Sequence, residues 1–232
     1  MISVPMDADW VSALTRDFFA THFARLPYAR PAGAAAAAPL FDWPTLDRVL
    51  PAAADVLTVA AGRLVDAPAP RSAADVQRLM RDGVSTVVRA SERHDDALAA
   101  LARRFGAAVA GEVHVQLYAT PAGTNSYGWH YDFEDVFIAQ TRGAKDYFFR
   151  ANTVARETRL GEPLDFRCIR QETSQLMGSQ LVAGDFLYIP RRWWHFVKCS
   201  EDALSISVGI MPPEAFRDAQ RIPAGWSGKS AT

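Results

Sequence analysis

The spacing of hydrophobic residues predicts that the first part of the chain is largely helical. Within residues 9–25, Trp10, Leu14, Phe18 and Phe23 recur at roughly helical spacing, which is typical of an amphipathic helix. Three more helices are predicted at 42–49, 72–81 and 95–105: the first has Pro44 near its first turn, the second has Ser72 as N-cap, and the third is alanine-rich and amphipathic. We expect Gly106 to end the last of them, because glycine commonly follows a helix C-terminus.

Strands are predicted where apolar and β-branched residues form short runs between glycine or proline residues. In the first part of the chain, 56–65 and 85–89 fit this description, whereas the alanine run 34–38 predicts a loop before Pro39. From Glu112 onward, short predicted strands follow one another: 114–120, 136–140, 145–150, 180–182, 186–189, 195–198 and 203–210. This arrangement favours a barrel or sandwich, so we expect a mainly β protein with flanking α-helices.

Length and composition favour a single domain. The chain has 232 residues, of which 49% are hydrophobic, and this is enough to build a sizeable core. We expect one domain over 1–232, with a mostly helical part at 1–110 packed on a barrel core at 111–212. Residues 213–232 are predicted to form a C-terminal tail.

Charge and cysteine usage exclude several classes of protein from the prediction. The formal net charge is −1 and no basic stripe is present, which disfavours a nucleic-acid partner. No apolar run reaches about 18 residues, so no membrane span is expected. Cys168 and Cys199 are too few for a disulfide framework and predict reduced thiols in a cytoplasmic protein.

Two separated segments carry the ligand types of a metal site. His130-Tyr131-Asp132 supplies an imidazole and a carboxylate, and His195 follows a Gly-Asp-Phe-Leu-Tyr-Ile-Pro run and two tryptophans. Two histidines and one carboxylate form the facial triad that holds Fe(II) and leaves coordination positions open for substrate and oxygen. We expect His130 and Asp132 to converge because residues two apart on a strand point the same way. These three residues are therefore the predicted catalytic and metal-ligating set.

The remaining histidines and the aromatic residues near the triad have less specific interpretations. His114 alternates with Gln116 on a predicted strand, so it either lines the cavity or has no role in the site, whereas His22 and His94 are expected to be structural. Four aromatic residues either wall the cavity or pack in the core: Tyr127, Trp129, Trp193 and Trp194. For Trp193 we favour core packing.

The residues around the predicted ligands resemble a known family pattern. That pattern reads Asn-x-Tyr-x-Thr-Pro, then His-Tyr-Asp, then Asp-Val-Phe-x-x-Gln-x-x-Gly-x-Lys. The chain has Gln-Leu-Tyr-Ala-Thr-Pro at 116–121, His-Tyr-Asp at 130–132 and Asp-Val-Phe-Ile-Ala-Gln-Thr-Arg-Gly-Ala-Lys at 135–145. On these residues it resembles the JmjC-type cupin oxygenases that depend on Fe(II) and 2-oxoglutarate. Within them it is similar to the ribosomal protein hydroxylases and to the asparaginyl hydroxylase of hypoxia-inducible factor.

The resemblance implies a double-stranded β-helix of the jelly-roll, cupin type with an N-terminal helical buttress, Fe(II), and 2-oxoglutarate as cosubstrate. It places Lys145 at the position of the family lysine that binds the distal carboxylate of 2-oxoglutarate. A buried cation needs an anionic partner, which agrees with that role, and the alternative is an exposed surface lysine. A serine of the last strand often assists in the family, and we choose Ser207 over Ser205. Tyr118 and Gln116 are further candidates for cosubstrate contacts.

Two departures from the family limit what the resemblance implies. Gln116 replaces the family asparagine and is one methylene longer. The chain also ends soon after the predicted barrel, without the dimerisation and winged-helix regions of ribosomal hydroxylases. We therefore do not carry over their substrate, and we expect a peptide segment or an amino-acid-like molecule rather than an assembled ribosome. The sequence leaves the oligomeric state open, a homodimer included.

The predicted function is a 2-oxoglutarate-dependent dioxygenase that uses O2 to hydroxylate a C–H of a peptide or protein side chain. A hydroxylase of a free amino acid or natural-product intermediate is the nearest alternative, and demethylation would use the same chemistry. A metal-binding cupin without oxygenase activity belongs to a different class. The complete triad and Lys145 argue against that last alternative.

Overall fold

The computed structural model describes residues 10–125, 127–156, 162 and 164–213. Its α-helices are α1 (Arg16–Thr21), α2 (Trp43–Val49), α3 (Ala73–Arg81) and α4 (Asp96–Ala108). Its strands are β1 (Tyr28–Arg30), β2 (Val56–Ala60), β3 (Arg63–Leu64), β4 (Ser85–Val88), β5 (Glu112–Thr120), β6 (Asp135–Arg142), β7 (Lys145–Arg150), β8 (Met177–Leu181), β9 (Phe186–Ile189), β10 (Trp194–Cys199) and β11 (Ala203–Met211). No helix in this described part of the chain is both long enough and apolar enough to cross a membrane.

The strands form two antiparallel sheets. The large sheet has the order β1-β9-β6-β11-β5-β4-β2-β3, and the small sheet has the order β10-β7-β8. Side chains from both sheets meet in one apolar cluster, to which the large sheet contributes Ile138 and Leu187 and the small sheet contributes Phe149 and Leu181. The mainly β architecture predicted from the spacing of short strands is confirmed, and so is the jelly-roll fold that the family resemblance implies.

The opposite face of the large sheet packs against the N-terminal helices. Phe137 of β6 is fully buried, and its ring centroid lies 6.3 Å from that of Phe18 in α1 and 5.1 Å from that of Phe105 in α4. Tyr188 of β9 lies 5.0 Å from Phe18. Because side chains alternate along a strand, β6 directs Phe137 to the helices and Ile138 into the space between the sheets. One strand therefore serves two cores.

The predicted helix at 9–25 is shorter than expected, because only Arg16–Thr21 of it is α-helical. Capping side chains start the other three helices, and the predicted N-cap Ser72 is one of them. Asp42 precedes α2 and forms a reciprocal capping box with Thr45. The Ser72 hydroxyl accepts from the backbone N–H of Asp75 at the start of α3, and the Asp95 carboxylate caps α4. Such side chains replace the intrahelical partners that the first turn lacks.

The predicted strand at 56–65 is wrong in one respect: it is a hairpin of β2 and β3. Ala61 and Gly62 both have positive φ, at 48° and 78°, and form the two-residue turn between the strands. Positive φ at both central positions is characteristic of a type I′ turn, whose twist matches that of the flanking strands. The alanine at the first position hid this turn, since asparagine, aspartate or glycine is more usual there.

Two other local predictions are also corrected. The alanine run is not a loop but part of a 3-10 helix, Ala35–Leu40, and Ala34 and Ala37 are fully buried. Helix α4 continues through Gly106 to Ala108, because apolar packing along the helix outweighs the low helix propensity of glycine.

We predict that replacing Phe137 with Ala will lower the free energy of unfolding by about 3–5 kcal/mol, because it empties the contact between α1, α4 and β6. Leu64→Ala is the control, since the Leu64 side chain is 54% exposed. That variant should change the free energy by about 0.5 kcal/mol or less. Urea unfolding followed by circular dichroism measures both values, and equal losses would contradict the packing described here.

Candidate functional site

A pair of backbone hydrogen bonds brings the two predicted ligand segments together. The His130 N–H donates to the His195 carbonyl at 3.1 Å, and the His195 N–H donates to the His130 carbonyl at 2.8 Å. This is an isolated antiparallel bridge outside the regular ladders. His195 lies near the start of β10 in the small sheet, whereas His130 precedes β6 of the large sheet. The bridge therefore closes one end of the space between the sheets.

The donor atoms of His130, Asp132 and His195 all lie within 4.8 Å of one another. The His195 Nε2 is 3.4 Å from the Asp132 Oδ2, and the two imidazole centroids are 4.1 Å apart. The three groups converge as predicted. The predicted reason, that His130 and Asp132 lie two apart on one strand, is wrong, because residues 131–134 are irregular. The bridge and the turn into β6 aim the side chains instead.

Both imidazoles are oriented by backbone carbonyls. The Nδ1 atom of His130 lies 2.8 Å from the Gly128 carbonyl, and the Nδ1 atom of His195 lies 3.0 Å from the Trp193 carbonyl. A carbonyl only accepts hydrogen bonds, so each Nδ1 carries the proton and each Nε2 keeps its lone pair. Histidine ligands of metals in proteins are commonly held in this way. The donor set therefore fits a divalent transition metal with open coordination positions.

The electrostatics of the triad agree with this arrangement. Burial and the neighbouring His195 lower the pKa of His130 to about 4. Burial raises the pKa of Asp132, but its interactions with the imidazoles of His195 and His130 outweigh that effect and lower the pKa to about 2. Near neutral pH, His130 is therefore uncharged and Asp132 is ionised, which are the protonation states that a metal requires.

The aromatic residues around the triad divide between the two faces of β10. Tyr131 points away from the ligands and packs on Trp194, with ring centroids 4.8 Å apart. Trp129 packs on Phe196, also away from the space between the sheets. Trp193 instead packs against the apolar cluster between the sheets. Trp193, which we predicted to be a core residue, thus packs in the core that lines the site.

Lys145 lies at the other end of this space and is only 3% exposed. Its Nζ donates to the Ser205 hydroxyl at 2.9 Å and lies 5.6 Å from the centroid of the Tyr118 ring. No carboxylate pairs with it among the described residues, and burial lowers its pKa to about 8. A buried ammonium group without a counter-ion is costly, so this end of the space is suited to an anion.

The structure places Ser205, rather than Ser207, beside the lysine. Both serines are buried on the same face of β11, but Ser205 pairs with Tyr118 of β5 and Ser207 pairs with Gln116. The predicted choice of Ser207 is therefore corrected for the lysine contact. Gln116 and Tyr118 are joined by a hydrogen bond of 2.9 Å from the tyrosine hydroxyl to the amide oxygen.

The other histidines do not join the triad. His114 lies on β5 with its Nε2 3.5 Å from Glu112 Oε1 at the edge of the site. His22 stacks on Phe18 in the helical part, and His94 follows a short 3-10 helix. These positions agree with the structural interpretation of His22 and His94.

Sequence reasoning missed two residues of the site. Glu134 follows Asp132 by two positions, and burial together with repulsion from Asp132 raises its pKa to about 7. Phe166 is 38% exposed and lies 6.4 Å from the His130 ring. The spacing His-x-Asp-x-Glu was a usable signal for Glu134, whereas nothing in the local sequence marks Phe166.

Comparison with known proteins agrees with this geometry. The family model of the JmjC domain matches residues 90–217, which is more than half of the chain and includes the triad, Lys145 and Ser205. The chain belongs to the JmjC domain family. The predicted resemblance is confirmed.

Individual JmjC relatives match over part of their length. Ribosomal oxygenase 1 of Gallus gallus is 32% identical over 107 residues, covering 40% of this chain and 16% of the relative. The bifunctional lysine-specific demethylase and histidyl-hydroxylase NO66 of Dictyostelium discoideum is 31% identical over 103 residues, covering 42% and 19%. The matched stretch thus spans less than a fifth of either relative.

A solved structure shares the JmjC fold over nearly the whole chain. YcfD, a ribosomal oxygenase from Escherichia coli in complex with cobalt and 2-oxoglutarate, aligns with a TM-score of 0.55 at 22% identity. The alignment covers 93% of this chain and 59% of that chain. At this identity the likeness is evidence for the fold alone.

We predict that His195→Ala removes high-affinity metal binding while the β-sheets remain folded, because His195 supplies one of three converging donors. Titration with Mn(II) in an equilibrium dialysis experiment measures binding, and circular dichroism checks the fold. His22→Ala is the matched control and should bind metal as the unmodified protein does. Unchanged Mn(II) affinity in a folded His195→Ala protein would refute the metal site.

Proposed function

We propose that the chain is an Fe(II)- and 2-oxoglutarate-dependent dioxygenase that hydroxylates a C–H of a peptide or protein side chain. The observation that carries the proposal is the pairing of two features in one space. A facial set of two imidazoles and one carboxylate lies at one end, and a buried lysine without a counter-ion lies at the other. Iron and a dicarboxylate are the partners that such a space accommodates.

His130, Asp132 and His195 would hold Fe(II). Three protein donors leave the remaining positions of an octahedral ion for the cosubstrate and oxygen. Bound together, Fe(II) and 2-oxoglutarate supply the oxidation of an unactivated C–H by O2, a reaction that side chains alone cannot perform. The part of the chain is to orient the two Nε2 atoms and to keep Asp132 ionised.

Lys145 would receive the distal carboxylate of 2-oxoglutarate, with help from Ser205 and Tyr118. Lys145 and Phe149 are four residues apart on β7, and Phe149 is the β7 partner of His195 on β10. Their backbones are therefore separated by about 13 Å along the strand. The lysine side chain and a short dicarboxylate together can bridge this distance. Gln116 and Ser207 lie on the same faces and remain candidates for further contacts.

The apolar lining between the two ends would exclude water from the bound cosubstrate. Ile138, Phe149, Leu187 and Ile189 form a continuous buried cluster there. In such surroundings a charge-assisted hydrogen bond from Lys145 is stronger than it would be in water. The lining also protects the reacting centre from side reactions.

The names of the relatives support a protein side chain as the substrate. They include ribosomal oxygenases and a histidyl-hydroxylase, and one solved JmjC structure contains 2-oxoglutarate. The partial coverage of these relatives keeps a free amino acid as the alternative substrate, and the predicted cytoplasmic location and oligomeric state stay predictions. A metal-binding cupin without oxygenase activity would not require a buried unpaired lysine.

Oxygen-dependent conversion of 2-oxoglutarate to succinate tests the proposal. The protein is loaded anaerobically with Fe(II) and 2-oxoglutarate, oxygen is admitted, and succinate is measured with short peptides or free amino acids present. We expect succinate only when iron and oxygen are both supplied, and a mass gain of one oxygen atom in an accepted substrate. A folded, iron-loaded protein that forms no succinate would count against the assignment.

Replacing Lys145 with Met should raise the 2-oxoglutarate concentration needed for half-saturation much more than the Fe(II) concentration. Truncating one partner of a buried charge pair costs roughly 2–5 kcal/mol, so we expect an increase of at least thirtyfold. Lys198→Met is the control, because Lys198 is exposed on the neighbouring strand. Calorimetric titration of the Mn(II)-loaded protein measures the 2-oxoglutarate affinity, and titration with Mn(II) alone measures the metal affinity. Equal losses of 2-oxoglutarate affinity in the two variants would exclude Lys145 from the cosubstrate site.

We also predict that 2-oxoglutarate affinity falls as the pH rises above about 8, the pKa of Lys145. A bound carboxylate raises that pKa, so below pH 8 the lysine is protonated with or without ligand and the affinity is constant. Above it, binding must take up a proton, and the affinity falls by up to about tenfold per pH unit. Calorimetry in buffers of different ionisation enthalpy reports the proton uptake. A Lys145→Arg protein, if it binds, should show no uptake, and uptake that persists there would assign the proton to another group.

A further inference from the structure

A tight turn before β10 is bonded to both segments that carry metal ligands. The turn is closed by the Trp193 N–H, which donates to the Pro190 carbonyl at 3.2 Å. Within it, the Arg192 N–H donates to the Asp132 carbonyl at 2.7 Å. The Trp193 carbonyl in turn lies 3.0 Å from the Nδ1 atom of His195. The conformation of this turn therefore bears on two of the three ligands.

Arg192 adopts a backbone conformation in the turn that favours glycine. Its φ is 65° at the third of the four turn positions. Type II turns require a positive φ there, and glycine or asparagine is the usual residue. A Cβ atom in the left-handed region crowds the neighbouring carbonyl oxygen, so arginine raises the backbone energy relative to glycine. The contacts of the arginine side chain show what offsets this strain.

The Arg192 guanidinium joins the turn to two other segments. Its Cζ atom lies 5.4 Å from the centroid of the Tyr131 ring, which is within the range of a cation–π contact. Its Nη2 donates to the carbonyls of Ala155 and Arg156, at 3.4 and 3.2 Å. Tyr131 stands between two of the metal ligands in the sequence. The guanidinium thus connects the ligand segment, the turn and the chain that follows β7.

Arg192 holds two consecutive residues of the ligand segment. Its backbone N–H holds the Asp132 carbonyl, and its side chain covers the Tyr131 ring. Residues 131–134 are irregular, so no strand ladder fixes their backbone and the position of Asp132 depends on contacts of this kind. Removing a group that orients a metal ligand without touching the metal typically weakens metal affinity or activity by roughly 10–100-fold.

We propose that Arg192 is a positioning residue of the metal site, and that its guanidinium keeps the Asp132 carboxylate in place opposite His195. This rests on the proposed function, because it concerns the same metal ligands. Replacing the arginine with glycine has two opposite effects, since it relieves the backbone strain and releases the ligand segment. Metal affinity should therefore fall without a loss of stability, which a side chain with only a structural role would not produce.

Titration with Co(II), followed by visible absorption, tests the inference without turnover. The absorption bands of Co(II) report its coordination geometry as well as its affinity. For both Arg192→Gly and Arg192→Asn we expect a loss of Co(II) affinity of about tenfold or more and altered bands. Asparagine tolerates a positive φ, so this variant preserves the turn while it removes the guanidinium. The midpoint of urea unfolding of metal-free Arg192→Gly should be unchanged or higher.

Ala32→Gly is the matched control for the change in backbone. Ala32 also has a positive φ, of 53°, but it lies in the turn after β1, where its N–H donates to Asp185. Glycine relieves the same kind of strain there. The urea midpoint of this control should be unchanged or higher, and its Co(II) affinity and absorption bands should be those of the original protein.

The outcomes separate this inference from the proposed function. If either Arg192 variant keeps the original Co(II) affinity and absorption bands, the role of Arg192 is overturned while the metal site stands. A lower urea midpoint in Arg192→Gly would also overturn that role, because the side chain would then act through stability. An original protein that binds no Co(II) would overturn both this inference and the proposed function.

Discussion

The two hydrogen bonds between His130 and His195 are the constraint on which the site depends. The ligands come from segments that are far apart in sequence: His130 and Asp132 precede β6 of the large sheet, whereas His195 lies in β10 of the small sheet. Neither segment could place all three donors alone. An isolated bridge of two residues fixes the distance between the backbones. The carbonyls of Gly128 and Trp193 then fix the rotation of each ring. The backbone geometry thus positions the donor atoms for a metal, and the side chains already have the tautomers that metal binding requires.

The space between the sheets combines an apolar lining with polar groups that have few protein partners. Lys145 is buried against Ser205 without a counter-ion. This ammonium group lowers the stability of the protein without ligands, and an anionic ligand would compensate its charge. The apolar cluster, which includes Phe149 and Leu187, makes that charge more effective because it keeps water away. Stability is therefore given up at a position where binding requires it.

The sequence predicted the strand-rich core, the capped helices and the metal triad, because these features are local or carry a specific motif. It did not predict the Ala61–Gly62 turn, where alanine adopts a conformation that other residues prefer. It selected Ser207 rather than Ser205 for the lysine contact, since both serines point to the same face and only the register with β5 separates them. The order of the sheets and the contact of Phe166 with the site depend on long-range packing that no short pattern encodes.

Anomalous diffraction from crystals grown with Mn(II) and 2-oxoglutarate tests the central claim most directly. The account predicts a manganese peak bound by the Nε2 atoms of His130 and His195 and a carboxylate oxygen of Asp132. It also predicts 2-oxoglutarate density that runs from the metal to the Nζ atom of Lys145, in contact with the Ser205 hydroxyl. A metal peak elsewhere, or a 2-oxoglutarate molecule that does not reach Lys145, would contradict the account.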